Sequence, residues 1–131
     1  MVGNQINFIV LNKQANSLYS LITDGKYRAT SVGRDMWKNL IGSEAYLQYS
    51  CNKEGFNAEC TGSLAKARIG TLGNNQNDCR TCDSRKGFGP RGSPNNFNTC
   101  RNLATVSPDN GDKYIKAMGY ILVQWEENEN L

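Results

Sequence analysis

Residues 66–100 read KARIGTLGNNQNDCRTCDSRKGFGPRGSPNNFNTC, and this stretch is the most informative one about the fold. Apolar or β-branched residues alternate with charged ones over residues 66–71, which is typical of a half-buried strand. Gly73 ends that strand, and a long loop rich in Gly, Asn, Asp and Pro follows with three of the five cysteines. Because this loop has little apolar surface to bury, we expect disulfides or a bound ion to order it.

The composition fits one polar domain with a real core. The chain has 131 residues, of which 38% are hydrophobic and 21% charged. Its polarity comes from Asn and Gly rather than from charge, which indicates a loop-rich protein. A net charge of only +3 argues against a nucleic-acid surface. No apolar run approaches the roughly 18 residues of a membrane span.

The five cysteines indicate an oxidising, extracellular compartment and a secreted protein. Their odd number leaves at least one thiol free or bonded to another chain. Cys51 and Cys60 could close a small loop, and Cys79 or Cys82 could pair with Cys100, but spacing does not fix the pairing. Cys79 and Cys82 also have redox spacing, yet no helix is expected after them, so structural disulfides are favoured. A zinc knuckle would need a second pair at a standard spacing.

The apolar pattern predicts a mostly β or α+β fold: an antiparallel sheet with one short helix and long disulfide-stapled loops. The Asp24-Gly25 dipeptide predicts a hairpin between the second and third strands. Residues 114–124 are the most apolar segment and predict a central strand buried on both faces. The other expected elements are strands at residues 6–11, 18–22, 26–30 and 45–49 and a helix at residues 34–41. We expect a single domain over residues 1–124 and a tail at 125–131 that need not be native.

The chain has no histidine, which excludes imidazole acid/base catalysis and histidine-ligated zinc. We therefore expect no enzyme activity. Oxygen-bearing side chains concentrate instead in two loops. Calcium takes about six to eight oxygen ligands, so these loops are candidate calcium sites; the alternative is ordinary Asx turns. The candidate metal ligands are Asp78, Asp83, Asp109, Asn110 and Asp112.

The long loop also carries candidate ligand-binding residues. Phe88 could stack on a sugar ring, while Arg85, Asn95 and Asn96 could bind its hydroxyl groups. The alternative is that Phe88 simply anchors the loop to the body of the domain. The surrounding basic residues could attract an anionic glycan or an acidic protein, or could form a plain solvated face.

Three segments carry a resemblance to a known kind of domain. They read ARIGxxGNxxNDCxxxDSRxGFG at residues 67–89, NTC at 98–100 and DNGDKxIKAMGYILVQ at 109–124. This pattern resembles an uncharacterised extracellular domain in secreted and matrix proteins of corals and other marine invertebrates, including coral skeletal organic matrix proteins. The resemblance covers about residues 19–124. It implies a secreted, disulfide-bonded module and says little about activity.

More distantly, the order of glycine-rich strand, cysteine loop and final apolar strand is similar to the C-terminal part of fibrinogen-related lectins, the intelectins among them. Those lectins bind glycans through a calcium ion held in loops. Intelectin sites use histidine, which this chain lacks, so no sugar ligand is transferred residue by residue. The chain is also shorter than a complete fibrinogen-type domain. The resemblance implies a lectin function at the level of fold alone.

The sequence thus favours an extracellular, lectin-like module that binds carbohydrate, with calcium as a candidate cofactor. Its expected partner is a glycan or an extracellular protein. The alternative is a structural or adhesive matrix domain that forms oligomers through protein contacts, with the odd cysteine available for an intermolecular disulfide. A small enzyme with carboxylate or thiol chemistry is the third and least favoured interpretation.

Overall fold

The computed structural model describes residues 7–42, 44–92, 100–109 and 111–125. They form a six-stranded antiparallel sheet with two short helices. Each strand pairs with the next one along the chain, so the sheet is a meander. This architecture confirms the expected mostly β or α+β class. The elements are α1 (Leu18–Ile22), β1 (Arg28–Ala29), α2 (Arg34–Asn39), β2 (Ser50–Cys60), β3 (Ala65–Asn74), β4 (Ser84–Phe88), β5 (Arg101–Ala104) and β6 (Lys113–Lys116).

A row of three glycines crosses the middle of the sheet. Gly55 of β2 lies opposite Gly70 of β3, which lies opposite Gly87 of β4. A Cβ atom at any of the three would lie only 2.1–2.2 Å from a backbone oxygen of the adjacent strand. Only glycine therefore fits in this row.

The strands bend strongly enough to bring the two ends of β2 together. The Sγ atoms of Cys51 and Cys60 lie within 4.8 Å of each other, although the two residues are nine positions apart along the strand. A straight strand would place them about 30 Å apart. The positive φ of +135° at Gly55, between them, is a conformation that favours glycine. The row of three glycines therefore lies at the bend of the strands.

The larger hydrophobic core lies between one face of the sheet and the helices. Phe56, Ile69 and Phe88 lie side by side on β2, β3 and β4. Trp37 of α2 and Leu21 of α1 pack against this row. A smaller core of alanines, Leu72 and cysteines lies around the disulfides. The disulfides thus take the place of large side chains in the second core.

Residues 18–22 form helix α1, so the strand predicted there is wrong. Ser17 caps the helix: its side chain accepts a hydrogen bond from the backbone N–H of Ser20, and the Ser20 hydroxyl oxygen accepts one from the Ser17 N–H. Helical spacing turns Leu18, Leu21 and Ile22 to the core. Gly25, at φ +74°, follows the helix and donates to the carbonyl of Ile22. The Asp-Gly pair thus ends a helix instead of forming a hairpin.

Helix α2 confirms the predicted helix at residues 34–41. Its entry is held by the buried carboxylate of Glu54, on β2. That carboxylate accepts hydrogen bonds from the backbone N–H groups of Val32 and Gly33, at 3.0 and 2.7 Å. It also accepts from the Trp37 indole, at 2.9 Å, and the Thr30 hydroxyl, at 2.5 Å. One acidic side chain therefore ties the helical cover to the sheet.

Residues 45–48 are buried but do not form the predicted strand. Side chains, rather than a neighbouring strand, supply most of the hydrogen-bond partners of their backbone. Asn102 accepts from the Tyr46 N–H and donates to the Tyr46 carbonyl, both at 2.8 Å. The Ser84 hydroxyl accepts from the Gln48 N–H at 3.1 Å. Such side-chain pairing leaves no periodic signal that a strand pattern could detect.

Other sequence-based assignments are confirmed in part. β3 confirms the strand predicted around residues 66–71, and β1 lies within predicted residues 26–30 but pairs with β2. The described part of residues 6–11 is not a strand. Residues 51–60 belong to β2 rather than to a small loop. The long loop after Gly73 is interrupted by β4, which inserts between β3 and β5.

The prediction of a central strand at residues 114–124 is wrong. Only Lys113–Lys116 pair, as β6, at the edge of the sheet. Ala117 still donates a hydrogen bond to the carbonyl of Cys100 at 3.1 Å. From there to residue 125 the described chain belongs to no strand and is largely exposed. An edge position offers a pairing partner on one side only, so apolarity alone did not indicate burial.

Candidate functional site

Asp109 lies in a buried ion cluster. Its carboxylate accepts from Arg34 at 2.8 Å, from Lys38 at 2.5 Å and from the backbone N–H of Leu47 at 3.2 Å. Burial alone would raise the pKa of Asp109, but these donors lower it below the ordinary value. The carboxylate thereby links α2 to the loop between β5 and β6. A calcium ion at Asp109 would have to compete with two cations for its oxygens.

The other candidate metal ligands lie in separate environments. Asp78 accepts from the backbone and side chain of Arg80, and these bonds lower its pKa. Asp83 is half-buried, and burial raises its pKa. Asp112 is exposed, and Asn110 lies outside the described residues. The described aspartates therefore have different hydrogen-bond partners and different degrees of burial.

A calcium site in these loops stays a prediction. Within the described ranges, the closely spaced group of potential metal-ligating side chains is formed by cysteines rather than by these aspartates. A site built on any one aspartate would need most of its oxygens from backbone carbonyls and water.

The structure directs Arg85 and Phe88 to opposite faces of β4. Arg85 lies opposite Leu72, on the side of the disulfide core, is 1% exposed and donates to the carbonyl of Gly92 at 3.0 Å. Burial lowers its pKa to about 10. Phe88 packs against the Trp37 core. Arg85 and Phe88 therefore do not line one common binding surface. Asn95 and Asn96 lie outside the described residues.

The disulfides pair Cys51 with Cys79 and Cys60 with Cys82, and Cys100 is free. The structural role of Cys79 and Cys82 is therefore confirmed, while the suggested Cys51–Cys60 loop and the suggested bond to Cys100 are wrong. These pairings form because β2 bends, so that both of its ends lie next to the loop after β3. The one free thiol agrees with the odd cysteine count.

The two disulfides form a single cluster of sulfur atoms. The Sγ atoms of Cys51 and Cys82, which are not bonded to each other, are 3.7 Å apart. Those of Cys51, Cys60 and Cys82 all lie within 4.8 Å of one another. Because Cys79 is bonded to Cys51, its sulfur belongs to the same cluster. Cys60 and Cys82 are fully buried.

Lys86 is one of the basic residues of the long loop that the sequence predicts to be exposed, but the structure buries it. It is fully inaccessible, and its Nζ donates to the backbone carbonyl of Lys38. Burial, and then the charge of Lys38, lowers the pKa of Lys86 to about 7. Burial raises the pKa of the neighbouring Cys100 thiol. The strand alternation of Ser84, Lys86 and Phe88 was the available sequence signal, since it places Lys86 on the core face.

Tyrosine rings with an adjacent cation line part of the surface. The Arg34 guanidinium carbon lies 4.5 Å from the Tyr49 ring centre, and the Lys53 ammonium lies 4.7 Å from that of Tyr27. Both rings are exposed. Sugar-binding surfaces use such rings, although cation–π pairs also occur on ordinary protein surfaces.

The longest run of exposed apolar residues in the described part of the chain is what we call the C-terminal segment, residues 117–125. Leu122 is 92% exposed. Tyr120 and Trp125 are each 81% exposed. Single exposed apolar residues are common, but a contiguous run of them marks an interaction surface. No helix in the described ranges is long and apolar enough to cross a membrane.

A scan against protein-family models and searches of curated proteins and of solved structures found no match. The functional interpretation therefore depends on the geometry of the chain itself.

Proposed function

We propose that this chain is a non-catalytic, secreted module that assembles through protein–protein contacts, as a structural or adhesive component of an extracellular matrix. The observation that supports this function best is the exposure of the C-terminal segment. Its six large side chains leave the sheet after β6 and cover little of the rest of the described molecule. Binding to another protein would remove this apolar surface from water, at about 25 cal/mol per Å².

The adjacent sheet edge supports the same function. Among the described residues, β6 is an edge strand that pairs on one side only. Exposed edge strands are templates for pairing with another chain. The C-terminal segment continues directly from this edge, so backbone pairing and apolar contact would act on one continuous surface. The two disulfides fit an extracellular module of this kind.

The test is the oligomeric state of a Leu122→Asp variant. We expect the wild-type chain to self-associate with rising concentration in analytical ultracentrifugation, or to bind an extracellular protein. The variant should lose the association because a charge would be buried in the interface. Leu64→Asp is the matched control, because Leu64 is also exposed and lies outside the segment, in the turn between β2 and β3.

Two results would contradict the assembly function. One is a wild-type chain that stays monomeric and binds no extracellular partner through this surface. The other is a Leu122→Asp variant that is unfolded while the Leu64→Asp variant is folded, because the segment would then be part of the monomer's own core.

Carbohydrate binding is the second candidate function, and the exposed Tyr27 and Tyr49 rings with their cations favour it. A sugar would stack on the exposed face of either ring, and at Tyr27 it would accept a hydrogen bond from the neighbouring Lys53. The test is a glycan array followed by thermal melts with sugars, with and without calcium. A Tyr49→Ala variant should lose at least about tenfold in affinity, corresponding to about 1.4 kcal/mol. No binding by the wild-type chain would eliminate this candidate.

A further inference from the structure

We propose that the four-cysteine cluster is a zinc site under redox control. In the oxidised chain the cluster holds the two disulfides. In the reduced chain the same four sulfurs, from Cys51, Cys60, Cys79 and Cys82, would bind one zinc ion in a tetrahedron. This site is separate from the C-terminal segment and does not depend on the assembly function.

The spacing of the sulfur atoms supports a tetrahedral site. Zinc–thiolate bonds are about 2.3 Å long, so two sulfurs on the same zinc ion lie about 3.8 Å apart. The unbonded Sγ atoms of Cys51 and Cys82 already lie 3.7 Å apart. Cys60 lies within 4.8 Å of both. Once the S–S bonds are broken, rotation of the side chains would bring each bonded pair to the same separation.

Hydrogen bonds hold the ligand loop in place independently of the disulfides. The backbone N–H of Ser63 donates to the carbonyl of Arg80 at 2.9 Å, and its hydroxyl donates to that of Cys82 at 3.0 Å. The side chain of Asn74 donates to the carbonyl of Asp78 at 2.6 Å. The loop from 78 to 82 is thereby fixed to the turn after β2 and to the end of β3. Reduction alone would therefore leave the ligands near one another.

The path of the backbone brings two pairs of cysteines together, Cys79 with Cys82 and Cys51 with Cys60. Cys79 and Cys82 have the C-x-x-C spacing of many structural zinc sites. Cys51 and Cys60 are too far apart in sequence for a standard knuckle, but the folded β2 ribbon places their sulfurs together. The apolar side chains that limit the access of water pack around Cys60 and Cys82. They are Ala58, Ala65, Ala67 and Leu72.

The conversion between the two states is balanced. Two equivalents of a dithiol each donate two electrons and two protons, so that both S–S bonds break, four cysteine thiols form and the dithiol becomes a disulfide. Zinc then binds four thiolates and releases four protons. Reoxidation would require loss of zinc. The reduced, zinc-bound form would keep the sheet folded in a reducing compartment, where the disulfides cannot persist.

The experiment uses the full chain reduced with a trialkylphosphine, which takes up an oxygen atom from water as each disulfide breaks, and titrated with Co²⁺ alone. We expect one cobalt per chain, with the absorption of a tetrahedral tetrathiolate, and stoichiometric displacement by Zn²⁺. Cys60→Ser should weaken binding by more than about tenfold because a neutral hydroxyl replaces a thiolate. Cys100→Ser is the matched control and should bind like the wild-type chain, since Cys100 lies outside both disulfides.

A second measurement covers the case in which reduction unfolds the chain. Zinc should then restore the far-UV circular dichroism of the wild-type chain and of Cys100→Ser, but not of Cys60→Ser. The zinc site is overturned if the reduced wild-type chain shows neither a tetrathiolate spectrum nor zinc-dependent refolding. It is also overturned if Cys60→Ser binds as tightly as the control, or if the metal is held between two chains.

Discussion

Glu54 carries several structural roles on a single side chain. Its carboxylate accepts hydrogen bonds from the backbone N–H groups at the start of α2 and from the indole N–H of Trp37. Its backbone carbonyl accepts one from the Tyr27 hydroxyl at 2.7 Å. Burial alone would raise the pKa of Glu54, but the donated hydrogen bonds lower it. The charged form is therefore the one that the fold requires.

We expect Glu54→Gln to lower the free energy of unfolding by about 1–3 kcal/mol at neutral pH. The reason is that the NH₂ group of the amide would face N–H and O–H groups that now donate to the carboxylate, so those hydrogen bonds would be lost. Since the folded pKa is depressed, the charged group stabilises the protein above the unfolded pKa of Glu. That stability is lost as the pH falls through the folded pKa. Urea denaturation from pH 7 to pH 3 should show a weaker acid dependence in the variant. Glu59→Gln is the control, because this partly exposed carboxylate has one ion pair, with Lys66 at 3.6 Å; an equal change there would contradict the prediction.

Lys86 gives a second prediction of the same sign, in the alkaline range of pH: here the neutral form, rather than the charged one, is favoured by the fold. Its folded pKa of about 7 lies below the ordinary value for lysine, so between these values the unfolded chain binds more protons. Stability should therefore rise with pH from about 7 to about 10, by at most about 1.4 kcal/mol per pH unit. In Lys86→Met this rise should disappear in thermal or urea unfolding. Lys66→Met, at an exposed lysine of β3, should keep it. A wild-type chain without the rise would contradict the burial of Lys86.

At the scale of elements, the glycine row determines how the sheet folds. Gly55, Gly70 and Gly87 lie opposite one another on three neighbouring strands, and none of the three positions has room for a Cβ atom. This row places the large side chains on one side of the bend and the cysteines on the other. The bend thus separates the two hydrophobic cores.

We expect Gly70→Ala to cost about 3 kcal/mol or more, because its Cβ would lie 2.1 Å from the backbone oxygen of Lys86, which cannot move independently. Gly25→Ala is the control: it has positive φ but no atom within 4 Å of a Cβ, so we expect only about 1 kcal/mol. Chemical denaturation of both variants gives the comparison. Equal effects would show that backbone conformation, rather than close approach, sets the cost.

At the scale of the whole molecule, the disulfides connect parts of the chain that the sheet alone would leave free. Each closes a loop of more than twenty residues, with sequence separations of 28 and 22. They also fill the second core, where few large apolar side chains are present. Stability of the molecule therefore depends on oxidation, unless another ligand holds the sulfurs.

Removal of the Cys60–Cys82 bond tests this dependence. We expect the double variant Cys60→Ala, Cys82→Ala to lose about 3 kcal/mol in the oxidised state, in line with loop closure over about twenty residues. Urea denaturation of the oxidised proteins is the measurement. Cys100→Ser should change the free energy by less than about 1 kcal/mol. A loss confined to Cys100→Ser would contradict the assigned pairing.

Local sequence signals predicted the elements that local interactions form. The alternation in β3 and the capped, amphipathic α2 were both identified, and the fold class followed from them. Residues 18–22 were misassigned because five apolar and polar residues fit both periods, and the Ser17 cap was not weighed. Residues 45–48 were misassigned because their partners are side chains from distant strands.

The candidate site shows the same limit. Composition identified the cysteines as structural and left one of them free, but it could not pair them. The ion pairs of Asp109 with Arg34 and Lys38 join residues about seventy positions apart, so no local motif marks them. The burial of Arg85 and Lys86 depends on which strands flank β4, and residue type alone suggests exposure.

By itself, the sequence determined a mostly β chain with cysteine-stapled loops, an odd thiol and no imidazole chemistry, because periodicity and composition are local properties. Tertiary structure alone decided that β2 folds back at Gly55, that four sulfurs meet and that most of the most apolar segment lies outside the sheet. These features depend on which distant backbones approach each other. Side chains 22 and 28 residues apart become bonded neighbours only when the sheet bends.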